Sequence, residues 1–125
     1  MTALPLPNFR GHEADEFTFY RIPKLLTTDE RLRTLSTDAK FLYGILLDRM
    51  GLSIENGWLD ERGDVYIYYT VEEIMKVLNC GSEKATKLLA ELDGRSGIGL
   101  IERVRQGQGK PTKIYIKNFA ALRPP

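Results

Sequence analysis

The stretch from Thr70 to Ile116 constrains this chain most, because it strings two short amphipathic helices and a β-hairpin together with few residues between them. Thr70-Val71-Glu72-Glu73 is a Ser/Thr-x-x-Glu capping box, in which Thr70 and Glu73 satisfy two otherwise orphan amides at a helix start. Apolar residues recur at Val71, Ile74, Met75 and Leu78, the i, i+3, i+4, i+7 spacing of one buried helical face. Asn79-Cys80-Gly81 ends that helix, since Asn and Gly tolerate the left-handed conformation a helix terminus needs. A second helix starts at Ser82 and repeats the spacing with Ala85, Leu88, Leu89 and Leu92. Two such helices joined by a short Gly-containing turn make the helix-turn-helix pattern, which any small helical hairpin shares.

The following residues narrow the choice. Gly97-Ile98-Gly99 breaks the second helix, and Leu100 to Arg105 reads as a strand rich in branched residues. Gln106-Gly107-Gln108-Gly109-Lys110-Pro111 is a turn, and Thr112 to Ile116 is a second strand with Ile114 and Ile116 as its apolar residues. Helix, turn, helix, strand, basic Gly-rich tip, strand is the layout of a winged helix. The expected fold is therefore α+β, a winged helix-turn-helix with an N-terminal strand and additional short β-strands. In such folds the second helix enters the DNA major groove and the hairpin lies along the backbone.

Upstream, residues 1–13 carry Pro5, Pro7 and Gly11 and read as a flexible leader. The N-terminal strand is assigned to Phe17-Thr18-Phe19-Tyr20-Arg21-Ile22, with Pro23 ending it as on an edge strand. Residues 24–35 read as a turn and a short helical piece. Ser36-Thr37-Asp38 caps a helix running to about Leu52, whose segment from Phe41 to Leu47 is apolar on nearly every side. Such a helix is either the central core helix or one shared with a second protomer, and Gly44 admits another backbone closely. Turns follow at Asn56-Gly57 and at residues 60–63. Val65 to Tyr69 reads as a strand running into the Thr70 cap, with Val65, Ile67 and Tyr69 on one face and Tyr66 and Tyr68 on the other. Dense acids around these tyrosines argue against base stacking and for a structural role.

At 125 residues the chain makes one domain with a modest core. A net charge of +1 alone argues against a polyanion partner, but its distribution does not. Residues 53–73 hold six acids and one Arg, whereas residues 100–118 hold five bases and one acid, which concentrates positive potential at the hairpin. The single cysteine, Cys80, excludes an internal disulfide framework and fits a reducing cytosol. Neither a transmembrane-length apolar run nor a signal-peptide pattern is present, so a cytoplasmic protein without membrane contact is expected. No catalytic role, metal or cofactor is expected: the sole histidine, His12, lies in the leader, and Cys80 sits in a helix turn. A phosphodiester-nicking enzyme would need clustered metal-binding histidines beside a tyrosine.

The candidate DNA-binding residues fall on two elements. On the second helix they are Ser82, Glu83, Lys84, Thr86 and Lys87. Glu83 would accept from a cytosine amine, Thr86 meet a thymine methyl or base edge, and Lys87 meet a guanine or a phosphate. Ser82 would join the helix-start amides in holding a phosphate. The alternative is that Glu83 and Lys87, spaced i, i+4, pair with each other on a solvated face. On the hairpin the candidates are Arg103 and Arg105 on one strand face, Lys113 opposing them, and Gln106, Gln108 and Lys110 at the tip. Like charges facing each other across a ladder are destabilising, which points to a polyanion as the reason for keeping them together.

Several blocks in order resemble one family. They are Phe19-Tyr20-Arg21-Ile22-Pro23-Lys24, Leu35 to Lys40 continuing to Leu47-Asp48-Arg49, Asn56-Gly57-Trp58, Val65-Tyr66-Ile67 to Thr70, and Gly99-Leu100-Ile101-Glu102-Arg103 to Pro111. Over residues 14–120 the chain resembles the N-terminal domain of the replication initiator protein A family, plasmid replication initiators of Gram-positive bacteria. The resemblance implies a winged-helix domain that binds double-stranded origin DNA and forms a homodimer. It also implies a separate C-terminal domain that contacts host replication proteins. Residues 121–125 then read as the start of a linker to that domain, which is absent here through truncation or in an unusually short relative. The alternatives are a winged-helix transcription regulator, or a protein-interaction or dimerisation module without DNA binding. The second is motivated by the apolar helix 38–52 and by residues 82–95, where three bases balance three acids.

Overall fold

The computed structural model describes residues 2–122. Its elements are single helical turns at Glu13–Glu16, α1 (Leu25–Thr28) and Glu30–Leu32, then α2 (Thr37–Glu55), β1 (Tyr66–Ile67), α3 (Val71–Leu78), α4 (Ser82–Leu92), β2 (Ile101–Val104), β3 (Lys113–Ile116) and a last turn at Phe119–Leu122. The three strands form one antiparallel sheet in the order β1-β3-β2. This is the winged-helix architecture expected, with α3 and α4 as the helical pair and β2–β3 as the wing.

Local chemistry sets each helix boundary. Ser36 caps α2, its Oγ accepting the Ala39 N–H at 3.1 Å. At the other end α2 runs past Leu52 to Glu55. There the Trp58 N–H donates to the Ser53 carbonyl at 2.8 Å and the Gly57 N–H to the Ile54 carbonyl at 3.2 Å. These two bonds with Gly57 at φ +71° form a Schellman motif, so Asn56-Gly57 terminates the helix. The Thr70–Glu73 capping box forms in full at the start of α3, and Asn79 closes α3 in the left-handed conformation at φ 52°.

The apolar α2 is the central core helix. Leu42, Tyr43, Ile45 and Leu46 are each at most 1% exposed within one chain. The helix packs on α4 and β1, and its core joins Ile74 of α3, Ala85, Leu88, Leu89 and Leu92 of α4, and Ile67, Ile101 and Ile114 of the sheet. Tyr43 is buried whole, and its hydroxyl donates to the Lys117 carbonyl at 2.9 Å. Burial pushes that hydroxyl up to about 12. Among the described residues, no helix is long and apolar enough to cross a membrane.

Two expectations are corrected. Residues 17–22 form no strand; Phe17 is extended, but among the described residues the sheet contains only β1, β2 and β3. The segment lies across α2 instead, where Gly44 leaves room for the Arg21 carbonyl and the Ile22 side chain. Ile22 at Gly44 and Tyr20 against Phe41 hold it there without a sheet edge. Phe17 and Phe19 remain 59% and 64% exposed. The strand over residues 65–69 shrinks to Tyr66–Ile67 with a single bridge from Val65 to Leu59, because only those two residues face a partner on β3.

A Cβ at Gly44 would overlap Ile22 Cδ1 and sit 2.9 Å from the Arg21 carbonyl oxygen. The G44A variant is expected to lose about 1–3 kcal/mol through this overpacking and to release the 17–22 segment. Urea unfolding and limited proteolysis at Tyr20 and Arg21 check both effects; an unchanged midpoint and cleavage rate would show that the segment yields freely.

Candidate nucleic-acid interface

The buried stripe of α4 sets which of its residues face outward. With Ala85, Leu88, Leu89 and Leu92 in the core, Ser82, Glu83, Thr86 and Lys87 are exposed together. Glu83 and Lys87 form no ion pair, so the self-pairing alternative is not realised. Lys84 turns away from them and pairs with Asp38 at 2.7 Å, joining the start of α4 to the start of α2. That ion pair holds the Lys84 ammonium above its ordinary range, hydrogen bonding to Asp38 being the main cause.

The wing is built on a register of Ile101↔Ile116, Glu102↔Tyr115, Arg103↔Ile114 and Val104↔Lys113. Ile101, Arg103, Ile114 and Ile116 therefore share the inner face, while Glu102, Val104, Lys113 and Tyr115 share the outer one. Lys113 does not oppose Arg103: it pairs with Val104 and rests its ammonium 4.4 Å above the Tyr66 ring. On that outer face Trp58, Tyr68, Tyr66 and Tyr115 follow one another at centroid distances of 5.2, 5.5 and 6.0 Å. The half-buried rings pack on one another there. At the tip, Gly107 and Gly109 adopt φ +114° and +79°. The Gln106 side chain donates to the Pro111 carbonyl at 2.7 Å and closes the base of the tip. Gln108 and Lys110 are left exposed beyond it.

Helix and wing meet at Asp93, which caps the C-terminus of α4 and is 3% exposed. Arg103 donates from Nε to Asp93 Oδ2 at 2.5 Å, and the Arg95 N–H donates to Oδ1 at 3.1 Å. Burial by itself would raise the Asp93 carboxyl. The Arg103 hydrogen bond, the Arg95 amide and the charge of both arginines outweigh it and hold the group below the usual carboxylate range. Residues 94–99 fold back over the end of α4, with Gly97, Ile98 and Gly99 donating to the carbonyls of Asp93, Glu91 and Leu92 at 2.7, 2.9 and 3.1 Å. Only glycine fits at position 97, where a Cβ would collide with the Glu91 and Ala90 carbonyl oxygens.

These elements enclose an open cleft of about 850 Å³. Thr86 lies on its α4 side, Thr70 and Glu72 at the start of α3, and Arg105 and Lys110 on the wing. Of the sequence candidates, Thr86, Arg103, Arg105 and Lys110 share this cleft. Ser82, Glu83 and Lys87 stand on the exposed side of the same helix, Gln106 and Gln108 at the wing tip, and Lys84 and Lys113 are turned elsewhere. Arg95 also reaches the cleft, although no local pattern in the sequence points to it. It stands in a Gly-rich turn with no periodicity, and only the fold-back of residues 94–99 brings it there. Among the described residues no group of three or more His, Cys, Asp or Glu could hold a metal ion.

Fold and cleft together define a winged-helix domain of the kind that replication initiators carry at their N-termini. Residues 18–123 match the family model for the replication initiator protein A (RepA) N-terminus, and the chain belongs to that family. It is 32% identical over 104 residues to a 41 kDa protein of Lactobacillus helveticus. That match takes in 78% of this chain and 29% of the relative, so the chain spans under a third of the relative's length. A solved structure described as the N-terminal domain of a DNA binding protein and another described as a Rep–DNA complex are each 39% identical to it. Both superpose with a TM-score of 0.73, covering 90% of this chain and 84% of theirs. A solved MDR initiator is 36% identical with a TM-score of 0.70, covering 90% and 86%.

Because the folded-state pKa of Asp93 lies below its unfolded value, the ionised pair stabilises the fold fully above about pH 4. That stability disappears as pH falls through the folded value. The D93N variant is expected to be less stable at neutral pH by about 1–2 kcal/mol, since it leaves Arg103 without its anion. Its unfolding midpoint should also depend less on pH below about 4. Chemical denaturation between neutral and acid pH tests this; parallel pH profiles for D93N and the wild type would remove Asp93 from the account.

Proposed function

We propose that this chain is the origin-binding domain of a plasmid replication initiator. In this reading α4 enters the major groove of double-stranded origin DNA, and the wing follows the adjacent backbone. The observation that carries it is the shared cleft: the exposed Thr86 face of α4 and the basic wing residues Arg105 and Lys110 border one concavity on one side of the molecule. The solved relative in a Rep–DNA complex, alike over 90% of the chain, supports the same use of the fold. Base reading falls to Glu83 and Thr86, and phosphate contact to Ser82, Lys87, Arg105 and Lys110, with Gln106 and Gln108 near the wing tip. The unit is residues 14–120, with residues 1–13 as a leader and 121–125 opening a linker. It acts in the cytoplasm by binding, without catalysis. Recruitment of host replication proteins rests with a separate C-terminal domain.

Fluorescence anisotropy with origin and random duplexes between 50 and 200 mM salt tests the reading. Combining K87Q, R105Q and K110Q should weaken both duplexes and flatten the log–log salt dependence by roughly 0.9 for each phosphate that is no longer neutralised. T86A should instead narrow the gap between origin and random DNA. Wild-type slope in the triple variant, or no preference for origin DNA in the parent, would defeat the proposal.

Dimerisation is the second part of the reading. Tyr20 and Phe41 meet edge to face at 6.3 Å, and with Phe17 and Phe19 they leave aromatic surface exposed beside α2. A two-fold axis through this patch would reuse it on both partners and set two α4 helices on repeated half-sites about one DNA turn apart, or a multiple of it. Sedimentation at micromolar concentration should give a dimer that F19S/F41S shifts towards monomer; a wild-type monomer both free and on DNA would rule it out.

A further inference from the structure

We propose that Arg95, in the turn after α4, is a further contact to the DNA sugar–phosphate backbone, and that Arg103 beside it is a positioning residue. The proposal rests on the DNA-binding reading above and divides the labour at the junction of helix and wing.

Three arginines reach the cleft, from three different places. Arg105 comes from the strand leading to the wing tip, Arg103 from the inner face of β2, and Arg95 from the 94–99 turn. Arg103 has its charge answered locally: its Nε lies 2.5 Å from Asp93 Oδ2, and its side chain is only 30% exposed. A guanidinium held this way sets the angle of β2 against α4 and has little left to offer a phosphate. Arg95 differs on both counts. It is exposed, and among the described residues it forms no ion pair, although Asp93 feels its charge through space.

The backbone beneath Arg95 is nevertheless fixed. Its own N–H donates to Asp93 Oδ1, and the next residue, Ser96, donates from its hydroxyl to the Ala90 carbonyl at 2.9 Å. The flanking Gly94 N–H bonds the Ile101 carbonyl at 3.1 Å. One carboxylate therefore holds Arg103 through its side chain and Arg95 through its main chain. A free cation displayed from an ordered turn, lining the same open cleft as Arg105 and Lys110, is a like-charge arrangement that a polyanion relieves. A DNA strand lying between α4 and the wing would meet Arg95 from one side and the wing cations from the other.

The same anisotropy titrations discriminate the two arginines. The R95Q variant should lose affinity equally for origin and random duplexes, flatten the log–log salt slope by about 0.9, and keep the wild-type Tm. The R103Q variant should lower Tm. The double variant R103Q/D93N removes both partners of the pair, and it should recover most of that Tm and show the same salt slope as D93N alone. A wild-type slope for R95Q would overturn its contact role, while origin binding by the parent would leave the general reading intact. A slope flattened in R103Q/D93N but not in D93N, which breaks the same pair and keeps the Arg103 charge, would return the phosphate contact to Arg103 and overturn its positioning role. A parent chain that binds neither duplex would overturn both readings.

Discussion

One buried carboxylate holds the working parts of this domain in register. Asp93 ends α4, pairs in parallel with Ile101 at the start of the wing, accepts from the Arg103 side chain, and accepts from the Arg95 main chain. A winged helix presents its second helix and its hairpin as one surface only if the angle between them is fixed. Hydrophobic burial is non-directional and cannot fix an angle alone. A charge-assisted hydrogen bond at the hinge adds the direction, because it weakens steeply when its geometry is lost. Asp93 also offsets the cost of its own burial, since each of its two oxygens has a donor.

Both ends of α4 are tied to the start of α2 as well, through Glu91 beside Asp93 and through Lys84 in the first turn. The Glu91 carboxylate takes the Ser36 N–H at 2.9 Å and the Ser36 hydroxyl at 2.8 Å, and Lys84 reaches Asp38. The first places a negative group at the start of α2, where the helix dipole favours it. Arg49, further along α2, reaches Glu73 in the α3 capping box at 2.7 Å and covers the Tyr69 ring at 4.5 Å. Polar bonds at the helix ends thus position three helices whose middles are held by apolar contact. Thr86 and Lys87, on the free face of α4, inherit a fixed orientation from both ends of their own helix.

Charge separates the two sides of the sheet. The inner side of the wing leads into the cleft with Arg95, Arg105 and Lys110 around it. The outer side carries the Trp58–Tyr68–Tyr66–Tyr115 succession and the acidic turn, where Asp60 accepts from the Tyr115 hydroxyl at 3.1 Å. A chain with a net charge of only +1 can therefore present a basic concavity, because of the cleft's two acids Asp93 is spent on Arg103, which leaves Glu72 against Arg95, Arg105 and Lys110.

Local rules determined the elements and their ends. The Thr70–Glu73 box, the Ser36 cap, the left-handed Asn79 and the apolar spacing of α3 and α4 each depend on residues within one or two turns, so the helix pair and the wing were legible in the chain itself. The outward set of Glu83, Thr86 and Lys87 was legible for the same reason, since burying Ala85, Leu88 and Leu89 leaves them no other direction. The path of residues 17–22 was not, because a stretch of aromatic and branched residues suits a sheet edge and a helix groove alike, and only Gly44 on a distant helix decided between them. Nor was the division of the wing cations. A strand's side chains alternate faces, so a register one residue different moves Lys113 across the sheet, and that register was settled by Ile101, Ile114 and Ile116 seeking the core. Arg103 was legible as a wing cation, but its pairing and the part of Arg95 were beyond local reasoning: which of them is free and which is paired depends on Asp93, a residue whose role exists only once helix, turn and wing have closed around it.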